Sequence, residues 1–238
     1  MSSRYPTGGM SRNGTTTPVL INFVEVGESD KDVLCMAICE CKAVPDVGKN
    51  GQSLRQVCVS KMLNQRDRRL GSQSEYKAEV NYDMTKDPPA PIMDYEVKTM
   101  AHAWAPGWIK KHWDEDPTHP MWMPGEGMIR RPDVVIVNDP TKPPTQDNIK
   151  QVVEIKFDND KWGFGQENAY RTISGPGKLA TLTPEDCSCN DPDRKKKTEN
   201  LKNEVLKEDV LEAIDALAKR GRGGRRTKLP KNLPNLKD

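Results

Sequence analysis

Two carboxylates and a lysine lie in two neighbouring apolar segments of the chain, at Asp133, Glu154 and Lys156. Carboxylates that face one another across adjacent strands offer the oxygen ligands that Mg²⁺ and Mn²⁺ prefer. A lysine two residues beyond the second carboxylate can hold a water molecule or stabilise negative charge on a phosphate. These residues therefore predict a metal-assisted site that acts on phosphate groups.

Two short strands are predicted to position these residues. Residues 131–137 form a β-branched run that is too short for a buried helix, and Asp133 lies near its start. A turn-rich segment, residues 138–148, separates this run from a second apolar segment, residues 149–157. Because side chains alternate along a strand, the second carboxylate and the lysine share one face of the second strand.

A helix is predicted to follow the second strand. Gln166 and Tyr170 are four residues apart, so both side chains lie on one face of such a helix. The glycines in Lys161-Trp162-Gly163-Phe164-Gly165 let the backbone turn tightly before the helix, and Gly175-Pro176-Gly177 predicts its end.

At these residues the chain resembles the PD-(D/E)xK phosphodiesterase superfamily. Pro132-Asp133 and Glu154-Ile155-Lys156 match the superfamily pattern, and Gln166-x-x-x-Tyr170 resembles the signature of its RecB-like and VRR-NUC branches. The resemblance is strong for residues 130–170 and weak elsewhere. It implies an α/β fold with a restriction-endonuclease-like core, in which a small mixed β-sheet is flanked by helices. An irregular insert and a C-terminal helix would be added to this core.

The resemblance also implies roles for individual residues. Asp133 and Glu154 would bind Mg²⁺ or Mn²⁺, with the backbone carbonyl of Ile155 as a further ligand. Lys156 would orient the water, while the two residues on the helix would position the phosphate or the lysine. The implied catalytic residues are Asp133, Glu154, Lys156, Gln166 and Tyr170.

DNA is the substrate that the resemblance implies. Residues 76–80 and 87–93, followed by Arg131-Pro132-Asp133, are most similar to VRR-NUC domains that act as antibacterial toxins, including type VI secretion effectors. Such a DNase would be secreted without a classical signal peptide and would damage DNA in the cytoplasm of a target bacterial cell. A cognate immunity protein would neutralise it. No membrane and no small-molecule cofactor would be involved.

Several alternatives fit the same residues. A DNA repair or junction-processing nuclease of the superfamily would be cytoplasmic and would prefer branched DNA. A non-catalytic nucleic-acid-binding module would rely on a basic tail and a tryptophan-rich loop, and an interaction protein would use its last helix. Without the resemblance, Asp133 reads equally well as a turn cap, with Glu154 and Lys156 as a surface ion pair.

An acidic residue ahead of the first strand is a candidate for completing the metal site. Ser72 and Glu75 form a capping-box pattern after Gly71, which predicts a helix that begins at Ser72. Glu79 would lie one turn inside this helix, on an acidic stripe. Two alternatives stay open: the stripe is an ordinary solvated face, or residues 76–82 form a strand.

The composition of the chain suits one sizeable domain with loop-rich appendages. Of its 238 residues, 34% are hydrophobic, 30% are charged and 19 are prolines. No apolar run reaches membrane-spanning length, and we expect a soluble protein. We predict a lead-in with a strand at residues 19–26 and a cysteine-rich segment (1–50), a nuclease core (51–186) with an irregular insert (87–128), and a linker, amphipathic helix and basic tail (187–238).

Six cysteines lie at positions 35, 39, 41, 58, 187 and 189. This number is modest for the length of the chain, so a disulfide framework is not predicted. We expect reduced thiols or an occasional disulfide. A zinc site built from the first four is an alternative, although the spacing between Cys39 and Cys41 is tighter than usual for zinc ligands.

The insert is unusually aromatic. Tryptophans beside Lys110 and Lys111 can stack on nucleic-acid bases, but packing of the long loop onto its own domain is the favoured interpretation. The histidines match no zinc-hydrolase motif and are expected to be loop residues. The aromatic residues and histidines concerned are Trp104, Trp108, Trp113, Trp122, His102, His112 and His119.

Any attraction to nucleic acid must be local, because the formal net charge is only +2. One candidate residue lies beside the predicted metal site, one begins the first predicted strand, and three belong to the basic, glycine-rich tail. The tail residues are equally consistent with a solvated surface. These candidates are Lys161, Arg131, Arg222, Arg225 and Arg226.

Overall fold

The computed structural model describes residues 25–194, 196, 199 and 200, together with the backbone of two short strands nearer the N-terminus. The chain divides into two compact units, residues 1–189 and 190–238. The paired carboxylates, the lysine and the glutamine–tyrosine pair all belong to the first unit.

Four helices are defined in the described part up to residue 189, and residues 192–194 are also helical. No helix in the described part of the chain has the length and apolar composition that a membrane-spanning segment needs. The helices are α1 (Glu28–Ala43), α2 (Arg55–Arg69), α3 (Ala105–His112) and α4 (Gln166–Ser174). The strands are β1 (Thr7–Met10), β2 (Thr16–Val19), β3 (Asp46–Val47), β4 (Ser53–Leu54), β5 (Tyr76–Ala78), β6 (Tyr82–Asp83), β7 (Ala90–Pro91), β8 (Ile129–Arg130), β9 (Val134–Val137), β10 (Ile149–Ile155) and β11 (Leu179–Leu182).

A four-stranded mixed sheet forms the centre of the first unit, with the strand order β11-β10-β9-β5. β10 runs parallel to β11 and antiparallel to β9, which in turn is antiparallel to β5. The predicted α/β class is therefore confirmed. The two strands predicted around the acidic residues are β9 and β10, and both are slightly shorter than predicted.

The side chains of the central strands alternate between two apolar cores. Residues in the core shared with α1 and α2 are Val134, Ile136, Val153 and Ile155. Residues in the core shared with α4 are Val135, Val137, Ile149 and Val152. Glu154 comes between Val153 and Ile155, so the pleat directs it toward α4, on the face that the alternation predicts.

The segment after α2 is a strand, so the helix predicted from Ser72 is wrong and the strand alternative is correct over Tyr76–Ala78. α2 ends as the amide of Ser72 donates to the carbonyl of Asp67, and Ser72 adopts a positive φ of 63°. All three residues of β5 are buried and pair with β9. Pairing and burial outweigh a capping pattern that could act only locally.

Glycines delimit α4, as predicted. Gly165 precedes the helix with φ 66°, and Gly175 follows it with φ 78°. Side chains with a Cβ rarely adopt these positive φ values, so both glycines are well suited to the chain reversals at the two helix ends.

All six cysteines form disulfides, and the expectation of mainly reduced thiols is therefore wrong, as is the zinc alternative. The bonds are Cys35–Cys187, Cys39–Cys189 and Cys41–Cys58. Two of them attach α1 to the segment after β11, and the third attaches α1 to α2. The count of cysteines could not reveal this, because the partners in two bonds are about 150 residues apart.

The insert is largely irregular and packs around Trp113, which is 1% exposed. The indole N–H of Trp113 donates to the carbonyl of Pro120, and its ring stacks on His119 with centroids 4.2 Å apart. Nε2 of His119 lies 2.7 Å from Oδ2 of Asp83. The packing interpretation is confirmed for Trp113, whereas Trp104 is exposed.

Two predicted elements fall mainly outside the described residues. The strand predicted at residues 19–26 overlaps β2 only at Val19, and residues 25–27 are not in a strand. The amphipathic helix and the basic tail predicted after residue 200, with Arg222, Arg225 and Arg226, lie entirely outside the described part.

Candidate active site

Asp133 lies directly before β9, and its carboxylate reaches the neighbouring strand. Oδ2 accepts a hydrogen bond of 2.7 Å from the backbone amide of Ile155. Burial raises the pKa of Asp133 to about 7, and the negative charge of Glu154 acts in the same direction. The carboxylate of Glu154 is thus close enough to oppose the ionisation of Asp133, a condition that a bound cation relieves.

Glu154 is almost completely buried, with 1% of its surface exposed. Its Oε1 accepts hydrogen bonds from Nζ of Lys156 at 2.7 Å and from Nε2 of Gln166 at 2.9 Å. Within the described part of the chain, Oε2 is buried without a hydrogen-bond partner. Leaving a buried carboxylate oxygen unpaired is costly, so this oxygen is well suited to a cation.

The ammonium group of Lys156 contacts the carboxylate of Glu154 and the aromatic ring of Trp162. Besides its bond to Glu154, Nζ donates to the backbone carbonyl of Lys161 at 3.3 Å. Nζ also lies 4.7 Å from the centre of the Trp162 ring, within cation–π range. The ammonium group is therefore fixed beside the buried carboxylate, with 12% of the side chain exposed.

Gln166 and Tyr170 lie on one face of α4 and contact each other, as their spacing predicts. Nε2 of Gln166 donates to the hydroxyl of Tyr170 at 3.0 Å, and that hydroxyl donates to the carbonyl of Arg131 at 2.6 Å. Burial raises the pKa of Tyr170, which keeps the phenol protonated and able to donate. The pair thereby connects the buried carboxylate Glu154 to the chain just before β9.

Glu79 reaches the site from a turn rather than from a helix. It follows β5 with a positive φ of 52°, and its amide donates to the carbonyl of Asp133 at 3.0 Å. Its Oε2 lies 3.5 Å from Nη1 of Arg131, and its side chain is 29% exposed. The predicted helical stripe is wrong, yet the structure brings Glu79 next to Asp133.

A small cavity lies between α2 and the carboxylates of Glu79 and Asp133. Its volume of about 10 Å³ is close to the space that one water molecule needs. Glu154 does not line it. The lining residues are Gln56, Val59, Ser60, Glu79, Asp133 and Ile155.

Gln56 is a site residue that the sequence did not indicate. Its Nε2 donates to the carbonyl of Ile155 at 3.1 Å and lies 3.4 Å from Oδ2 of Asp160. The carbonyl of Ile155 is the backbone ligand that the resemblance implies. No local pattern could reveal the contact, because 99 residues separate the two partners.

The predicted nucleic-acid contacts are less closely tied to the carboxylates. Lys161 is exposed and contributes its backbone carbonyl to Lys156. The side chain of Arg131 is 55% exposed and contacts Glu79. Both cations are accessible to a ligand at the edge of the site.

The donor set fits a hard divalent cation. Asp133 and Glu154 offer carboxylate oxygens, of which Oε2 of Glu154 is buried and unpaired, and Ile155 offers a carbonyl with a second lone pair. Among the described residues, no cluster of three or more His, Cys, Asp or Glu side chains forms a ready-made metal site. That finding does not test the predicted ligand set, which consists of Asp133, Glu154, the backbone carbonyl of Ile155 and Glu79.

The raised pKa of Asp133 predicts a pH-dependent stability in the metal-free protein. Below pH 4 the carboxyl is protonated in both the folded and the unfolded chain. Between pH 4 and 7 only the unfolded chain releases the proton, so the free energy of unfolding should fall as pH rises, and should then level off. Asp133→Asn should remove this contribution and be more stable than wild type at pH 8. Urea unfolding in EDTA at pH 5 and pH 8 measures the free energy of unfolding of wild type and of Asp133→Asn. An identical pH dependence in these two proteins would contradict the prediction.

Family models, curated proteins and solved structures were compared with the chain, and none of the three comparisons gave a match.

Proposed function

We propose that the protein is a metal-dependent phosphodiesterase that cleaves DNA. The observation that carries this proposal is the buried Glu154, whose unpaired Oε2 lies in a group that also contains Asp133 and Lys156. A structural ion pair does not need a second buried carboxylate next to it, because like charges raise the cost of burial. We further propose that the four-stranded mixed sheet is a restriction-endonuclease-like core.

Each residue has a distinct task in this proposal. Asp133, Glu154 and the carbonyl of Ile155 would hold Mg²⁺ or Mn²⁺, with Glu79 as a further carboxylate. Such an ion polarises a phosphate and lowers the pKa of a bound water molecule. Lys156 donates hydrogen bonds toward the attacking water or the developing negative charge on the phosphate.

The residues of α4 position the lysine and the buried carboxylate. Gln166 donates to the same oxygen of Glu154 that Lys156 contacts, and therefore fixes the rotamer of that side chain. Tyr170 supports Gln166 and attaches it to the backbone before β9. Their contribution is orientation of groups that touch the substrate.

Digestion of a supercoiled plasmid tests the proposal. Wild-type protein should nick and linearise the plasmid in Mg²⁺ or Mn²⁺, and EDTA should stop the reaction. Lys156→Met should slow cleavage by roughly 10²–10³-fold, the loss typical of one removed charge-stabilising donor. Lys142→Met is the matched control, because Lys142 is an exposed lysine paired with Asp139.

Two outcomes of this experiment would refute the proposal. One is wild-type protein that leaves the plasmid intact in both metals. The other is Lys156→Met protein that cleaves as fast as Lys142→Met while showing the same thermal unfolding midpoint as wild type.

We also propose that the nuclease is an antibacterial toxin, delivered to a target bacterial cell and blocked by a cognate immunity protein. Three disulfides favour this role over that of a housekeeping repair nuclease, because disulfides are typical of proteins that leave the reducing cytoplasm. The two roles differ in substrate. A toxin should cleave plain duplex DNA, whereas a repair enzyme should cleave flapped or branched DNA in preference.

A further inference from the structure

Phe164 is a fully exposed aromatic residue in the loop that borders the candidate site. A phenylalanine exposed to water forgoes the favourable burial of its large apolar surface, and a ligand that covers the ring would regain it. Its neighbour Trp162 behaves differently: it is half-buried, with its ring 6.0 Å from that of Tyr170.

The loop that carries Phe164 is attached to α4 on both sides of this residue. Before it, the amide of Gly163 donates to Oε1 of Gln166 at 2.9 Å, and the amide of Gln166 donates back to the carbonyl of Gly163 at 3.1 Å. After it, the carbonyl of Gly165 accepts from the amide of Ala169 in α4. The backbone on both sides of Phe164 is therefore fixed, and the exposed ring is presented from a defined position.

Cationic side chains lie in and near the loop that carries Phe164. Lys161 is exposed in the same loop, and Nζ of Lys156 contacts this loop at the Trp162 ring and at the carbonyl of Lys161. A Cβ placed on Gly165 would lie 3.8 Å from Nη2 of Arg130, so a guanidinium group adjoins the other side of the loop. The arrangement combines an exposed aromatic ring with cations, which is the combination that binds a base and its adjoining phosphates.

We propose that Phe164 stacks on an unpaired base next to the phosphate that lies at Glu154 and Lys156. The proposal rests on the proposed nuclease function and specifies where that site acts: at a position that is single-stranded or locally unpaired. In a supercoiled plasmid such positions form where the duplex opens locally, so cleavage of unbranched plasmid DNA is still expected. In a continuous duplex the faces of the bases are covered by their neighbours, so a single exposed ring gains a partner only where a base is unstacked.

Binding measured without cleavage tests the proposal. Fluorescence anisotropy in EDTA would give the dissociation constants of a labelled single strand and of a blunt duplex of the same sequence, for wild type, Phe164→Ala, Phe164→Trp and Tyr95→Ala. Tyr95 is a matched control because it is an exposed aromatic residue in the insert. Phe164→Ala should weaken single-strand binding by roughly 5- to 150-fold and leave duplex binding unchanged. Phe164→Trp and Tyr95→Ala should bind like wild type.

Several results would overturn the proposal. They are a wild-type protein that does not bind the single strand, a Phe164→Ala protein that binds both DNAs like wild type, and an equal loss for both DNAs. The second result is expected if Phe164 instead contacts a protein partner. Cleavage of either DNA by wild type in Mg²⁺ is scored separately, so failure of the nuclease proposal and failure of the stacking proposal are distinguishable.

Discussion

Glu154→Gln is expected to reduce DNA cleavage by roughly 10²–10³-fold or more, while leaving the fold intact. Glutamine has nearly the same shape as glutamate, so its carbonyl oxygen can still accept hydrogen bonds from Gln166 and Lys156. The substitution removes the negative charge and replaces one carboxylate oxygen by an amide group that repels a cation. The loss therefore measures the charge of this side chain rather than its packing.

The change should be visible both in vitro and in cells. Initial rates of plasmid cleavage in Mg²⁺ give the first measurement. Induced production in bacteria whose cytoplasm permits disulfide formation gives the second, because wild type should stop growth and degrade DNA whereas Glu154→Gln should not. Growth arrest by both proteins would argue against toxicity through DNA cleavage.

Glu167→Gln is the matched control for this prediction. Glu167 is one residue from Gln166 on α4, but its side chain is 39% exposed and its carboxylate pairs with Arg171. An exposed ion pair of this kind contributes little to stability, so the Glu167→Gln variant should fold and cleave DNA like wild type. A folded Glu154→Gln protein that is as active as Glu167→Gln would remove Glu154 from the catalytic group.

The second large effect is expected from the disulfides that join α1 to the segment after β11. Cys35–Cys187 and Cys39–Cys189 close loops of nearly the same length, with separations of 152 and 150 residues. When one bond is removed, the other still restrains almost the same loop in the unfolded chain. Removing one of these bonds should therefore lower the free energy of unfolding only slightly. Removing both should lower it by roughly 5 kcal/mol.

Cys41–Cys58 provides an internal comparison, because its two cysteines are only 17 residues apart. Neither of the other two disulfides closes the same loop. Removing this bond should lower the free energy of unfolding by roughly 3 kcal/mol. The measurement is guanidinium unfolding of three alanine variants that lack one long-range bond, both long-range bonds, or the short-range bond. A single long-range deletion as costly as the double deletion would contradict the shared-loop explanation.

Short-range patterns were sufficient for the elements that position Asp133, Glu154, Gln166 and Tyr170. β-branched residues and turn signals predicted β9 and β10, and the alternation of side chains predicted that Glu154 points away from Val153 and Ile155. Glycines predicted both ends of α4. These predictions are correct because each depends on residues only a few positions apart, and such residues determine the local backbone conformation.

Other features depended on partners that are distant in the chain. Residues 76–78 became a strand because β9 pairs with them, against a local capping pattern. Gln56 reaches the carbonyl of Ile155 across 99 residues, and the cysteines find partners across as many as 152. Sequence alone thus determined β9, β10 and α4 and the faces on which Glu154, Gln166 and Tyr170 lie, but neither the position of Glu79 nor the contact of Gln56. Tertiary structure alone decided which of them meet, because long-range contacts depend on how whole elements pack rather than on any local preference.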